Sequence, residues 1–491
     1  MLEKFFTAIF ALALCAGARA ANVEPQNLKE GGEASNTAAI QEAIDRCSAS
    51  GGGDVVFPSG VYLTGHFIMK DNVRLLLKPD TVILGSASAA DYPRINLPTA
   101  DADFNYTLIY AKGAKNIAIE GGAIRGQGEK FPRTGELSHH RPRNILFDSC
   151  ENVSLKNLAM RSPAFWNAFF LHCDGVVIED VNIYAMANAN NDGLDISSKN
   201  VKIKNCSINA IDDGICLKNE HGNEFVVENV EIENCVIASS CNFVKIGTGS
   251  QSDFRNIKVS NCSFLRPSCE THLKWHSFGA TKKYGIEKGL ETGLAGIALE
   301  AVDGGSIDGV SMRNISMTGV QTPIFIRVDN RDRNNIDGRK SYARNISIEN
   351  VAAVSDSLIT SSITAVAGYK LENVKIKNCI FDILGGAPES ANGNKISDPK
   401  KAYPENRMFG KLLPAYGFFV RNAENVELSN VQLITHGAPE FRHAVFAENS
   451  GLLIENCAVQ KPAGSAPTFK FENSRARFGG YNIELDPPRI K

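Results

Sequence analysis

The sequence predicts an all-β protein, a single-stranded, right-handed parallel β-helix with a short capping helix at its N-terminal end. Two observations lead to this fold. Apolar and polar residues alternate in many short runs, which is the pattern of strands that bury one face. One sequence motif also recurs along the chain: Asn or Gly precedes such a run, and Asn with Cys or Val often follows it.

The recurrent motif indicates the length of one coil. Its ten clearest copies begin at residues 152, 175, 200, 229, 256, 309, 345, 373, 425 and 451. The first five copies start 23, 25, 29 and 27 residues apart. A repeat of about 20–50 residues indicates stacked units, because one unit cannot bury its apolar face alone. A β-propeller is the alternative, but its four-stranded blades would need a longer repeat.

A short helix is predicted before the first strands, in residues 35–53, SNTAAIQEAIDRCSASGGG. Asn36 can cap its first turn, Ile40 and Ile44 share one face, and three glycines end it. We expect this helix to cover the open end of the coil stack, where backbone edges would otherwise be exposed.

Residues 1–20 predict a cleavable secretory signal peptide. A charged start, MLEK, is followed by an apolar run and by Ala18-Arg19-Ala20, which has the form of a cleavage site. The apolar run is too short to span a membrane easily, and no other stretch approaches a span. The prediction is therefore a secreted or periplasmic protein whose residues 21–491 form one β-helix domain.

Charge and cysteine content narrow the class of protein. The 491 residues carry a formal net charge of −2, so no basic excess favours nucleic acid as a partner. Five of the twelve cysteines follow Asn within the repeat: Cys206, Cys235, Cys262, Cys379 and Cys457. This repetition predicts small apolar residues stacked in the core rather than disulfides. No C-x-x-C pair occurs, so no zinc or other metal site is expected.

Three consecutive coils can be aligned by their apolar residues, beginning at residues 192, 213 and 242 with DGLDIS, DGICLK and NFVKIG. The predicted inward columns are Leu194, Ile215, Val244 and Ile196, Leu217, Ile246. The predicted outward column is Asp195, Cys216 and Lys245. The column at the strand starts is Asp192, Asp213 and Asn242.

This alignment places three carboxylates together. Asp192 and Asp213 are 21 residues apart, about one coil, and Asp212 is next to them. Mutual repulsion should raise the pKa of at least one, and a protonated carboxyl beside ionised ones suits general acid–base catalysis. A single Asp at a strand start is often only a turn residue, but two in register on adjacent coils favour catalysis.

Further charged residues are predicted on the outer face of later coils, namely His272, Lys274, Glu300 and Arg327. Of these, Lys274, Glu300 and Arg327 would form a wall with Lys245 that suits an anionic polymer. The alternative is an ordinary solvated face with paired charges.

The aspartate pattern resembles the polygalacturonase family, glycoside hydrolase family 28, and the later coils resemble its bacterial branch. The family pattern Asn-x-Asp-Gly-x-Asp is met by residues 190–195, and its Asp-Asp by residues 212–213. The resemblance covers nearly all of residues 21–491. It implies a pectin-lyase-like solenoid that hydrolyses glycosidic bonds of pectic polysaccharide or oligosaccharide with inversion, without a cofactor. We expect a monomer.

The resemblance also implies roles for single residues. Asp212 would be the general acid that protonates the leaving oxygen, and Asp192 and Asp213 would position and activate the water. Inversion requires a gap of about 6.5–9.5 Å between the carboxyl groups. Asn190 and Asp195, the other members of the motif, are expected to contact the substrate.

Two departures from the family pattern bear on the substrate. The family's Gly-His-Gly falls on Cys241-Asn242-Phe243, and its Arg-Ile-Lys falls on His272-Leu273-Lys274. Both motifs serve the uronate subsite in typical members. These changes shift the expected substrate from plain polygalacturonan towards a rhamnogalacturonan or a substituted or terminal galacturonide.

Two other functions stay open. A polysaccharide lyase on the same fold would use the aspartates for calcium and Lys245, Lys274 or Arg327 as base. A non-catalytic carbohydrate-binding β-helix is the third possibility. Two Gly- and Pro-rich segments interrupt the repeat at residues 278–293 and 385–417, and the second could close one end of a cleft and favour exo attack.

Overall fold

The computed structural model confirms the right-handed parallel β-helix. It describes residues 22–97, 105–220, 225–268, 281–286, 291–331, 333 and 338–487. These residues form 33 strands in one continuous sheet, and the named strands pair only in parallel. The predicted signal peptide, His272 and Lys274 lie outside the described residues.

Up to Val328, the described part of the chain contains one α-helix, α1 (Thr37–Ala49), and a regular series of strands. The first eleven strands are β1 Gly53–Phe57, β2 Gly60–Thr64, β3 Phe67–Ile68, β4 Val73–Leu77, β5 Thr81–Gly85, β6 Thr107–Lys112, β7 Lys115–Glu120, β8 Ala123–Arg125, β9 Arg143–Asp148, β10 Glu151–Lys156 and β11 Ala159–Arg161. The next eleven are β12 Ala168–Glu179, β13 Asn182–Ala185, β14 Leu194–Lys204, β15 Ser207–Ala210, β16 Ile215–Asn219, β17 Val227–Glu233, β18 Val236–Ser239, β19 Asn242–Ser250, β20 Phe254–Leu265, β21 Gly293–Ala301 and β22 Ile307–Val328.

The remaining coils continue in the same way to the C-terminal end of the described chain. Their strands are β23 Tyr342–Ser355, β24 Ser361–Ala365, β25 Lys370–Gly385, β26 Ala415–Arg421, β27 Glu424–Gly437, β28 His443–Glu448, β29 Gly451–Glu455, β30 Ala458–Gln460, β31 Phe469–Glu472, β32 Arg475–Gly479 and β33 Ile483–Leu485. Short 3-10 turns lie between strands at Ala89–Asp91, Gly128–Lys130, Glu136–His140, Thr281–Tyr284 and Glu389–Gly393.

Helix α1 packs its buried face, which includes Ile40 and Ile44, against the first coil. The predicted capping helix is therefore present. The predicted role of Asn36 is wrong, because its side chain makes no hydrogen bond to the helix. It bonds instead to Lys29 and to the carbonyl of Leu63 in β2, so it holds the chain that enters the helix. No helix among the described residues is long and apolar enough to cross a membrane.

Apolar side chains stack in columns inside the coils with the predicted register. The inward columns are Leu194–Ile215–Val244 and Ile196–Leu217–Ile246, all buried in the core. Asp195, Cys216 and Lys245 share one column outside this core. We call the strand stack that runs through β9, β12, β14, β16, β19, β21 and the end of β22 the site sheet.

The asparagines of the repeat turn the chain from strand to strand. They adopt positive φ, near 55°, a conformation that Asn tolerates better than most residues. Their amides also bond to one another along the solenoid, as from Asn256 to Asn229 and from Asn229 to Asn200. The cysteines that follow are buried and free in the described chain, as the repeat predicted. We call this row of hydrogen-bonded Asn side chains the asparagine ladder. The turn conformation of each Asn and the asparagine ladder together keep the coils in register.

Candidate active site

The aspartates stand in the turns that precede successive strands of the site sheet. Asp192 lies just before β14 and Asp213 just before β16. The amide of Gly193 donates a 2.9 Å hydrogen bond to the carbonyl of Asp213, so the two turns are stacked directly, as the alignment predicted.

The glycine after each of these aspartates is required by the stacking. A Cβ on Gly193 would lie 2.4 Å from the carbonyl oxygen of Gly214, and a Cβ on Gly214 would lie 2.7 Å from that of Phe243. Distances this short exclude any side chain unless the backbone moves. The paired Asp-Gly steps therefore let the carboxylates of neighbouring coils approach closely.

Asp213 is buried, and both of its carboxylate oxygens are bonded. The Asn242 side-chain amide donates to Oδ1 at 2.8 Å, and the ammonium of Lys245 donates to Oδ2 at 3.0 Å. Burial alone would raise the pKa of Asp213, but Lys245, Lys218 and the Asn242 hydrogen bond outweigh it and lower the pKa to about 2. Asp213 is therefore an anion at any ordinary pH.

Asp212 is the partly exposed member of the cluster. The Asn190 side chain donates to its Oδ2 at 3.4 Å, and Ser239 donates to its backbone carbonyl at 2.6 Å. Burial raises the pKa of Asp212, and the neighbouring charge of Asp213 raises it further. A partly exposed carboxyl whose pKa is raised beside an anion has the property of a general acid.

Asp192 and Asp195 share one cation. The ammonium of Lys218 lies 2.7 Å from Oδ1 of Asp195 and 3.3 Å from Oδ2 of Asp192. Burial and the charge of Asp195 raise the pKa of Asp192 well above its usual value. Burial also raises the pKa of Asp195, to about 6, although Lys218 opposes this. Oδ1 of Asp192 has no hydrogen-bond partner within the described chain.

The turn that carries Asn190 and Asp192 is held by its own amides and by Arg141. The Asn191 side chain accepts from the backbone of Ala187 and Asn188. Arg141 donates to the Asn190 side chain at 3.1 Å. This arrangement orients Asn190 towards Asp212.

Lys245 lies at the centre of the charged residues downstream. Besides Asp213, it contacts the hydroxyl of Tyr403 at 3.4 Å and the carboxyl of Glu300 at 4.0 Å. Glu300 is buried on β21, and burial raises its pKa to about 8 despite the nearby lysine. Glu300 is thus protonated at neutral pH, and Lys245 is neutralised chiefly by Asp213.

Arg327 is placed differently from the predicted wall of cations. Its side chain is 0% exposed and is bonded to Asp329 and Asp398, each at 2.7 Å. Asp398 belongs to the segment 386–413, which crosses the site sheet and which we call the covering loop. In this structure Arg327 anchors the covering loop and does not face solvent.

The covering loop has further anchors. The Asn406 side chain donates to the carbonyl of Leu294 in β21 at 2.7 Å. Met408 packs against Phe325 and Ala298, which follow Lys245 in the outward column. The face of the site sheet beyond Lys245 is therefore covered by this loop, with Tyr403 at its edge.

One group of described residues has the donor spacing for a metal ion: Asp212, Asp213 and Cys241, with ligand atoms within 4.8 Å of one another. The chemistry of these donors does not suit a metal. Both oxygens of Asp213 are already bonded, and burial raises the pKa of the Cys241 thiol well above its usual value. A thiol that keeps its proton is a poor metal ligand.

The structure brings together most of the predicted site residues. Asn190, Asp192, Asp212, Asp213, Asn242, Lys245 and Glu300 form one connected cluster, joined by the contacts above. Asp195 lies beneath this cluster and Arg327 beneath the covering loop. His272 and Lys274, which lie outside the described residues, stay predictions.

Four residues of the site were missed from the sequence: Lys218, Arg141, Tyr403 and Trp166, whose ring centre lies 3.3 Å from the Lys218 ammonium. Lys218 could have been predicted from the alternation of β16. It lies two positions after Cys216, so its side chain is on the same outward face of the strand. The others lie outside the aligned strands, so their contacts depend on how loops fold over the coils.

Comparison with known proteins gives a family match over part of the chain. Residues 47–266 match the family model "Glycosyl hydrolases family 28". A "Probable polygalacturonase" of Vitis vinifera is 29% identical over 205 residues, which cover 38% of this chain and 42% of that protein. An "Exo-poly-alpha-D-galacturonosidase" of Dickeya chrysanthemi is 28% identical over 256 residues, which cover 40% of this chain and 41% of that protein. The matches therefore span about two fifths of the length of these curated relatives.

A solved structure shows the same fold over a longer range. The "Family 28 Exopolygalacturonase" of Yersinia enterocolitica has a TM-score of 0.55 at 18% identity, covering 92% of this chain and 78% of that chain. The segment that matches the family model contains the whole aspartate pattern, from Asn190 to Asp213. Residues 47–266 thus match glycosyl hydrolases family 28, the family that the aspartate motif predicted.

Proposed function

We propose that the chain is an exported, inverting glycoside hydrolase that cleaves galacturonosyl linkages in pectic polysaccharide or oligosaccharide. The observation that carries this proposal is the adjacent pair Asp212 and Asp213. The pKa of Asp212 is raised by burial and by Asp213, whereas that of Asp213 is lowered to about 2. Two carboxyl groups with opposite shifts are suited to the roles of acid and base.

In the proposed reaction Asp212 donates its proton to the glycosidic oxygen as the bond to the anomeric carbon breaks. The backbone N–H of Asp213 donates to Oδ1 of Asp212 at 3.0 Å and Asn190 donates to Oδ2 at 3.4 Å, so both bonds orient the carboxyl group. Asp213, an anion held in place by Asn242 and Lys245, stabilises the positive charge that develops on the sugar ring.

The water that replaces the leaving group would be held by Asp192 and Asp213. Oδ1 of Asp192 is buried and has no partner among the described residues, so it can accept a hydrogen bond from this water. One carboxylate takes the proton of the water as its oxygen attacks the anomeric carbon from the opposite face. The product is a free sugar with inverted configuration.

The covering loop supports attack at a chain end. Its anchors on Arg327 and Leu294 bury the face of the site sheet beyond Lys245. Within the described part of the chain, the loop therefore covers the site sheet past Lys245, and the terminal sugar of a polymer would stop at Tyr403. The exchange of the family's histidine for Asn242 supports a substrate other than plain polygalacturonan.

A calcium-dependent lyase is supported less well. Lys245, one of its three candidate bases, is paired with Asp213, and the attraction of that carboxylate helps to raise the pKa of its ammonium well above the usual value. A lysine that holds its proton this firmly cannot abstract another.

Product analysis on defined pectic oligosaccharides tests the proposal. We expect release of a terminal sugar whose anomeric proton, followed by NMR, first shows the inverted configuration. Asp212→Asn should lower the rate at least about 100-fold, as expected when a general acid is lost. The matched control is Asp486→Asn, a 90% exposed aspartate far along the chain. Near wild-type activity in Asp212→Asn would overturn the assignment.

The same assay separates the alternatives. Unsaturated products that absorb in the near ultraviolet, together with loss of activity in chelator, would establish a lyase. Oligosaccharide binding without any product after long incubation would establish a binding β-helix.

A further inference from the structure

Lys218 is a buried cation that the proposed reaction does not use directly. It lies on β16, one coil above the strand of Asp195, with its ammonium close to the aspartates of that coil. The ammonium also lies 3.3 Å from the centre of the Trp166 ring. Two carboxylates and an aromatic face therefore surround it, and such an environment stabilises a charged ammonium away from water.

Asp195 cannot reach a ligand in this arrangement. Its side chain is 0% exposed, and Lys218 at 2.7 Å is its nearest charged partner. The aromatic cluster of Phe165, Trp166 and Phe169 covers the outer side of the site sheet at this level. The contact of Asp195 is thus with the ammonium and not with the cleft.

Each of the two lysines of the site contacts an aspartate of the coil below. Lys218 lies one coil above Asp192, and Lys245 lies one coil above Asp213. Each lysine therefore holds one aspartate of the coil below. The difference is the distance to the second carboxyl group, which is 2.7 Å from Lys218 to Asp195 but 4.0 Å from Lys245 to Glu300.

We propose that Lys218 is a positioning residue that orients the carboxyl of Asp192 towards the water and favours its anionic form, and that Asp195 serves only to seat Lys218. This inference deepens the proposed hydrolase and rests on it. It assigns Asp195 a role different from the substrate contact that the motif implied.

The charges around Asp192 come from several elements. Asp195 lies on β14, Lys218 on β16, and Asp212 and Asp213 in the turn before β16. Two further cations affect the carboxyl groups next to Asp192. Arg143 of β9 lowers the pKa of Asp195, and Lys245 of β19 lowers the pKa of Asp213. Among these, Lys218 opposes the rise in the pKa of Asp192 most directly.

Two substitutions should move the pH profile in opposite directions. Lys218→Met removes the cation, so the acid limb of kcat/KM should move to higher pH. Asp195→Asn removes the repelling charge but keeps the cation, so the limb should move to lower pH with KM changed less than about twofold. A shift of one unit changes kcat/KM on the acid side about tenfold. Lys258→Met, an exposed lysine on β20, is the control and should leave the profile unchanged.

A tryptophan signal tests the same contacts without catalysis. Trp166 and Trp275 are the two tryptophans of the chain. In a Trp275→Phe background, Trp166 emission should titrate with pH, and Lys218→Met should move the midpoint upward. Thermal melting of each variant checks that it is folded. If no substrate is hydrolysed, the proposed function fails, but this titration still decides the role of Lys218.

Clear outcomes would overturn the inference. An unshifted acid limb in folded Lys218→Met, or an unshifted Trp166 titration, would mean that Lys218 does not control Asp192. A tenfold or greater rise of KM in Asp195→Asn, with the limb unmoved, would make Asp195 a substrate ligand.

Discussion

The side-chain amide of Asn242 donates a 2.8 Å hydrogen bond to the carboxylate of Asp213, which lies one coil below it. The same carboxylate oxygen also accepts from the Asn242 backbone at 3.2 Å. At the place where the family pattern has histidine, this chain thus has a residue that stabilises the anionic form of Asp213. The exchange of histidine for Asn242 therefore acts directly on Asp213, because the hydrogen bond from Asn242 lowers the pKa of that carboxyl group.

Asn242→Leu should destabilise the protein in a pH-dependent way. The folded pKa of Asp213, about 2, lies below its usual 3.8, so its stabilisation is present above pH 3.8 and is lost as pH falls through 2. Loss of a hydrogen bond to a charged group costs about 1.5–3 kcal/mol. Urea unfolding should show this loss at pH 6 and a smaller one near pH 2.5. An equal loss at both pH values would contradict the assignment.

Glu300→Gln should have the opposite pH dependence. Burial raises the folded pKa of Glu300 from 4.5 to about 8, so the stability that this group contributes below pH 4.5 is lost as pH rises towards 8. Gln cannot ionise, so the variant escapes this loss. Its stability relative to wild type should therefore improve from pH 5 to pH 8, by up to about 1.4 kcal/mol per unit. Melting temperatures of both proteins across this range provide the measurement, and a constant difference would contradict the prediction.

Asp398→Ala should loosen the covering loop and allow attack within a polymer. The substitution removes the 2.7 Å contact between Asp398 and the buried Arg327. The loss of viscosity per reducing end released should rise, because internal cleavage shortens chains faster than release from an end. Asp356→Ala is a matched control, since Asp356 is equally exposed, at 19%, and pairs with Arg266 outside the loop. The same ratio in both variants would show that the loop does not set the mode of attack.

Asn229 separates the two roles of the asparagine ladder. Asn229 has φ 56° and bonds to Asn200 and Asn256. Asn229→Ala loses the bonds and also strains the backbone, whereas Asn229→Gly loses only the bonds. Urea unfolding should therefore find Ala less stable than Gly by about 1–2 kcal/mol. Equal stability of the two variants would mean that the turn conformation contributes nothing.

The sequence by itself determined the coil and its register. Alternation with period two and a repeat of one coil are properties of neighbouring residues, so they could be aligned without coordinates. The alignment of Leu194 with Ile215 and Val244 is the observed pairing. Because each coil stacks on the last, the same register placed Asp192 beside Asp213. Asn36 shows the limit of this reasoning. The sequence predicted that its side chain would bond to the first turn of the helix, but the side chain bonds to the carbonyl of Leu63 in β2 instead.

Only the tertiary structure decided how these coils are covered and how the charges are paired. Tyr403 meets Lys245 across 158 residues, and Asp398 meets Arg327 across 71. Such contacts depend on the path of a loop that has no periodicity to align. Burial then sets the charge states, because removal from water raises the pKa of Glu300, whereas Lys245 and Asn242 lower that of Asp213. The repeat determines where the carboxylates are, and the packing around them determines which of them hold a proton.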